Sequence, residues 1–140
     1  MRLHGEGAMI DETIARAIVE QMAEALIFAT VDGKIALWNR GASLLFGFER
    51  DEAIGQSLDL IIPPHLRNAH WSGFDAAIET GRLKLNGKPT LTRALHKTGR
   101  KLYVEMSFAL VETDQGILGS AAVARDVTEK VERERAGAIR

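Results

Sequence analysis

Three short turns, each ending in glycine and each flanked by β-rich arms, constrain this chain most. Asp32-Gly33 separates residues 26–31 from 34–38, Thr98-Gly99 separates 91–97 from 100–111, and Asp114-Gln115-Gly116 joins the latter to 116–125. Turns this tight connect antiparallel neighbours, whereas parallel strands need long crossovers. Two consecutive hairpins in the second half and one in the first predict an antiparallel sheet. By period two, Val104, Met106, Phe108 and Leu110 share one strand face. Gly119, Ala121 and Val123 share a face on the last strand, and their small side chains leave room beside it.

Between the hairpins the pattern is helical. Residues 11–25 carry Ile14, Ala17, Ile18, Met22 and Ala25 at helical spacing, with Asp11 placed to cap them. Residues 39–46 form a short helix closed by Gly47, and 49–54 give one more turn before Gly55. Pro63-Pro64 then opens a longer helix over 66–80, which Gly81 ends. At 100° per residue, Leu66, His70, Phe74 and Ala77 lie within roughly 80° of one another and form the inward stripe. Gly73 and Ile78 flank it, Trp71 sits at its edge, and Arg67, Asn68, Asp75 and Glu79 turn toward solvent. With 46% hydrophobic residues the chain has ample apolar material for a core. An imidazole in the middle of a core-facing stripe therefore asks for a hydrogen bond or a metal.

The order of elements implies an α+β domain, one antiparallel sheet with helices on one face, and a small-ligand cavity beneath the long helix. At 140 residues a single domain is expected, with 1–19 as an N-terminal tail and flanking helix, 20–128 as the folded unit, and 129–140 as the start of a charged C-terminal helix. Eighteen basic and nineteen acidic residues give a net charge of −1, which favours neither nucleic acid nor an anionic membrane. Lys97, Arg100 and Lys101 read as a hairpin tip. With no cysteine, disulfides, thiolate nucleophiles and cysteine-ligated metals are excluded. No apolar run is long enough to span a bilayer, so a cytoplasmic domain is expected. Neither a nucleophile motif nor a phosphate-binding loop stands out, and the chain does not read as an enzyme.

Several segments together resemble the PAS sensory family: Asp32-Gly33 with Trp38-Asn39; Ala42 and Leu45-Phe46-Gly47-Phe48; Glu52 with Ile54-Gly55-Gln56; Lys97-Thr98-Gly99-Arg100; and Arg125-Asp126-Val127-Thr128. The resemblance implies a five-stranded antiparallel sheet, a role in signal transduction, homodimerisation, and output through flanking helices to a histidine kinase, cyclase, phosphodiesterase or other effector. Residues 62–81 are similar to the haem-binding oxygen-sensor branch of that family. By that similarity His70 is the proximal ligand of haem b, Met106 and Phe108 form an apolar distal lid, and the sensed molecule is a diatomic gas: oxygen, carbon monoxide or nitric oxide. Leu66, Phe74, Leu85 and Ala121 complete the expected pocket, and His65, Arg67, Arg82, Lys84 and Lys88 are available to the propionates. The branch's oxygen-steadying arginine falls on Thr90, and the methionine that can serve as sixth ligand falls on Lys88. Two other readings stand beside this one. The first is a cofactor-free PAS module dimerising through the 11–25 helix and the sheet. The second is a PAS sensor of another small ligand or of flavin, without the cysteinyl adduct that a cysteine-free chain cannot form.

Overall fold

Each predicted turn closes a hairpin in the computed structural model, which describes residues 11–83 and 87–139. Helix α1 (Glu12–Gln21) leads into β1 (Ala25–Thr30) and β2 (Ile35–Trp38). Two short helices follow, α2 (Arg40–Phe46) and α3 (Arg50–Ala53), then two 3₁₀ turns at Leu58–Ile61 and Pro64–Leu66. The long helix α4 (Arg67–Thr80) precedes β3 (Thr90–Leu95), β4 (Lys101–Thr113), β5 (Gly116–Asp126) and the exit helix α5 (Thr128–Ile139). The sheet runs β2-β1-β5-β4-β3, antiparallel throughout.

The ends of the elements follow from capping chemistry. Asp11 accepts from Ile14 N–H and starts α1, which stops at Gln21, short of residue 25, because Ala25 is claimed by the β1–β5 ladder. Asn39 caps α2 and is not part of it. Gly81, at φ 73°, supplies the left-handed residue that ends α4. Residues 58–61 wind into a 3₁₀ turn in which the Ser57 hydroxyl accepts from Asp59 N–H.

The core lies between the inner sheet face and α2, α3 and the first 3₁₀ turn. Trp38, Phe46, Ile27, Ile35, Leu102 and Val104 are its largest fully buried apolar side chains. Trp38 packs on Phe46 at 5.6 Å between centroids, and its indole N–H donates to the Phe48 carbonyl at 3.0 Å. Asn39 is the one buried polar side chain among the described residues. Its carboxamide bonds the backbone at Val19, Glu24, Leu26 and Ala42, tying α1, β1 and α2 together.

Register decides which residues face inward. Directly paired residues lie on the same side of a sheet. Ala122 pairs with Ile27 and Phe108, and Ala124 with Ala25 and Met106, so these face the helices. Ala121 pairs with Phe28 and Ala109 on the opposite face. The expectation that Gly119, Ala121 and Val123 leave room beside a ligand is therefore corrected: that triplet is on the outer face. Alternation fixes which residues travel together but not which set is inside.

Helix α5 is latched to β4. The Val127 N–H donates to the Tyr103 carbonyl at 2.9 Å, and the Tyr103 N–H donates to the Thr128 hydroxyl at 2.9 Å. Asp126 accepts from Thr128 N–H, and farther along the helix the Arg135 guanidinium sits 4.9 Å from the centre of the Tyr103 ring.

Candidate functional site

Helix α4 crosses the sheet without closing on it. None of its residues is fully buried; His70, Trp71, Phe74, Ala77 and Ile78 are half-buried, so the stripe expected to face the core is only partly covered. Beneath them is a cavity of about 230 Å³. Ala69, His70, Gly73, Phe74 and Ala77 form its α4 wall. Phe108 and Leu110 of β4 and Ser120 of β5 form its floor, with Leu83, Gly87 and Lys88 at one side.

The cavity brings together three residues of the expected pocket: His70, Phe74 and Phe108. The others are elsewhere. Met106 is 9% exposed and packs in the core cluster, so the cavity lies farther along β4, at Phe108 and Leu110. Leu66 belongs to the 3₁₀ turn before α4 and does not line the cavity. Ala121 faces away, and Leu85 and Lys84 lie outside the described residues. Of the described candidate propionate partners only Lys88 lines the cavity; His65 and Arg82 are exposed. Arg67 does not turn toward solvent as expected. It is half-buried, donating from Nε to the Ile62 carbonyl at 3.0 Å and from Nη2 to the Asp59 carbonyl at 3.2 Å. Ser120 was not foreseen, although its phase with Ala122 and Ala124 on β5 would have disclosed it once the inward face was known.

His70 is the unusual group. Its Nδ1 is buried with no hydrogen-bond partner among the described residues. The ring is met by aromatic neighbours instead, Trp71 at 4.6 Å edge-on and Phe74 at 5.9 Å. Burial lowers its pKa from the ordinary 6.5, while the carboxylates of Asp59 and Asp75 act in the opposite direction. Burial thus favours the neutral imidazole, the form that keeps a lone pair for a ligand. The same shift makes stability depend on pH. Because the folded pKa lies below the unfolded one, the unfolded chain takes up the proton first as pH falls. The contribution of the neutral ring is complete above about 6.5 and is lost as pH falls from there toward the folded pKa. Thermal melts from about pH 7.5 to about pH 5.5 should fall more steeply for the wild type than for His70→Phe; equal slopes would show that the ring does not titrate in a buried setting.

Among the described residues no group of three or more histidine, aspartate or glutamate side chains is arranged to hold a metal ion. No described helix is long and apolar enough to cross a membrane.

Comparison with known proteins places these features in context. The family model described as "PAS domain" matches residues 23–129. An uncharacterized protein of Azorhizobium caulinodans is 28% identical over 133 residues, covering 94% of this chain and 18% of that protein. The oxygen sensor protein DosP of Escherichia coli is 24% identical over 116 residues, covering 83% of this chain and 14% of DosP. The chain thus spans less than a fifth of either relative. Among solved structures, a PAS domain from Colwellia psychrerythraea superposes with a TM-score of 0.73 at 24% identity, covering 85% of this chain and 99% of that one. An RNA-binding light-oxygen-voltage receptor superposes with a TM-score of 0.69 at 24% identity, covering 87% of this chain and 35% of that one.

Proposed function

The chain belongs to the PAS domain family, and on that premise we propose that this sensory domain binds haem b through His70 and detects a neutral diatomic gas. The observation that carries the reading is a single imidazole, His70, on the wall of a mostly apolar cavity, where burial lowers its pKa. A lone imidazole cannot by itself hold a metal ion, but it would suit one already held by a macrocycle. The likeness to a protein named as an oxygen sensor points the same way.

The residues present fit that group in kind. His70 would ligate the iron, Phe74, Phe108 and Leu110 would give apolar contact, and Lys88 would meet a carboxylate of the group. In size the cavity, about 230 Å³, falls short of ordinary ligand pockets of roughly 300–1,000 Å³. Helix α4 has no fully buried residue, and although Trp71 pins its start, widening of the cavity needs movement only of the helix beyond it. When bound, haem would supply an iron able to take up a neutral gas. Phe108, on the cavity floor, shares strand β4 with Tyr103, to which α5 is latched. Contacts that differ between gas-bound and gas-free states would bias that latch, and with it a dimer or an attached kinase, cyclase or phosphodiesterase.

The modest volume favours a second reading, a PAS sensor of a small apolar ligand. One experiment separates the two. Protein purified after haem supplementation should show a Soret band, and His70→Ala should lose affinity by more than the roughly 10–100-fold typical of outer-shell losses. Wild-type protein that stays colourless overturns the haem reading, and thermal-shift screening of small apolar compounds then tests the other.

A further inference from the structure

Something other than a hydrogen bond must hold the His70 ring, because its buried Nδ1 has no partner among the described residues. The ring lies edge-on to Trp71 at 4.6 Å and tilted against Phe74 at 5.9 Å, and Trp71 and Phe74 meet edge-on at 5.3 Å. Of the three, Trp71 has an external anchor. Its indole Nε1–H donates to Asp59 Oδ1 at 2.8 Å, from α4 to the first 3₁₀ turn. Its six-membered ring lies against Gly33 in the β1–β2 turn so closely that any Cβ there would collide with it. Gly33 is buried and has φ 77°, a conformation and a space that favour glycine.

Asp59 is itself held. Its N–H donates to the Ser57 hydroxyl at 3.1 Å, its carbonyl accepts from Arg67 Nη2 at 3.2 Å, and its carboxylate lies 3.8 Å from Arg67 Nε. The segment before it is stitched to the sheet, with Leu58 N–H donating to the Gly33 carbonyl and Ile35 N–H to the Gln56 carbonyl. The start of α4, through Trp71, is thus fixed to the β1–β2 hairpin, while from Gly73 onward the helix overhangs the cavity.

From this geometry we infer that Trp71, oriented by Asp59, is the positioning residue for His70: it sets the plane and direction of the imidazole that faces the cavity. The inference rests on His70 being the ligand-binding group and adds the mechanism that orients it. It replaces the polar outer-shell contact usual for a coordinating histidine with an aromatic one.

The test compares Trp71→Phe, Asp59→Ala and Asp59→Asn by haem titration followed at the Soret band, and by the iron–histidine stretching band of the ferrous protein. Trp71→Phe keeps an aromatic ring but loses the indole N–H; Asp59→Asn keeps an acceptor oxygen. Trp71→Phe and Asp59→Ala should each weaken haem binding by roughly tenfold, the lower end of outer-shell losses. Each should also broaden the iron–histidine band, and the double variant should add little to either one. Asp59→Asn should restore most of both. Wild-type affinity and band shape in Trp71→Phe overturns the inference, as do effects that simply add. Should the wild type itself take up no haem, the functional reading falls first. The positioning is then decided in the haem-free protein by nuclear Overhauser contacts from the His70 ring protons: a single set to the Trp71 indole, averaged out in Asp59→Ala, supports it. Contacts unchanged in Asp59→Ala overturn it.

Discussion

Replacing Asn39 with alanine is expected to lower stability by about 3–5 kcal/mol and the melting temperature by about 10–20 °C. The side chain is 1% exposed and fully used. Its Oδ1 accepts from Leu26 N–H at 2.8 Å and Ala42 N–H at 2.9 Å; its Nδ2 donates to the Val19 carbonyl at 2.8 Å and the Glu24 carbonyl at 3.1 Å. Alanine leaves backbone groups without partners, at about 1–3 kcal/mol for each that water does not reach. It also removes the N-cap of α2, worth about 0.5–2 kcal/mol. Asn39→Asp separates these contributions. The carboxylate keeps both acceptor contacts and the cap, but it turns an oxygen toward two carbonyls and buries a charge, so it should be no better tolerated. Denaturant melts of both variants check this, and a loss below about 1 kcal/mol for alanine would show that the hub relaxes or hydrates.

That hub also shows where the sequence stops being legible. Asn39 reads as a helix start, because capping is local chemistry between neighbours. Its bonds to Val19 and Leu26 bridge separations of 20 and 13 residues, which no local pattern announces. The hairpins were legible for the complementary reason: a turn dipeptide and two β-rich arms are contiguous. His70 was legible from its place in an apolar stripe, and Phe74 and Phe108 follow from helical and strand periods. Met106 and Ala121 show the limit of those periods. Period two groups Met106 with Phe108, but only the position of α4 above the sheet decides which member of the group meets the cavity. It groups Ala121 with Gly119 and Val123, and only the register with β1 and β4 reveals that they face outward. Arg67 was read as a solvent-facing charge because helical angle says nothing of the carbonyls of the preceding 3₁₀ turn, which capture it.

Filling the cavity should raise stability and remove ligand uptake together, and Gly73 is the position to do it. This glycine lies within α4 on the cavity wall, and a Cβ built there meets no atom within 4 Å. Glycine inside a helix costs about 0.8–1 kcal/mol relative to alanine, with nothing in the surrounding structure requiring it. Gly73→Ala is therefore expected to stabilise the ligand-free protein by about 0.5–1 kcal/mol. Gly73→Leu should add apolar area against Phe108 and Leu110, bringing the gain to about 1–3 kcal/mol while occupying the space a ligand needs. An ordinary packing defect would behave in the first respect only: leucine would stabilise it and nothing would be lost. Haem titration and denaturant melts of Gly73→Leu supply both readings. Increased stability with haem uptake gone marks the cavity as the binding site. Haem uptake equal to the wild type would place the group elsewhere. Destabilisation would mean that α4 already lies as close to the sheet as its side chains permit, with no room beneath it for a flat ring.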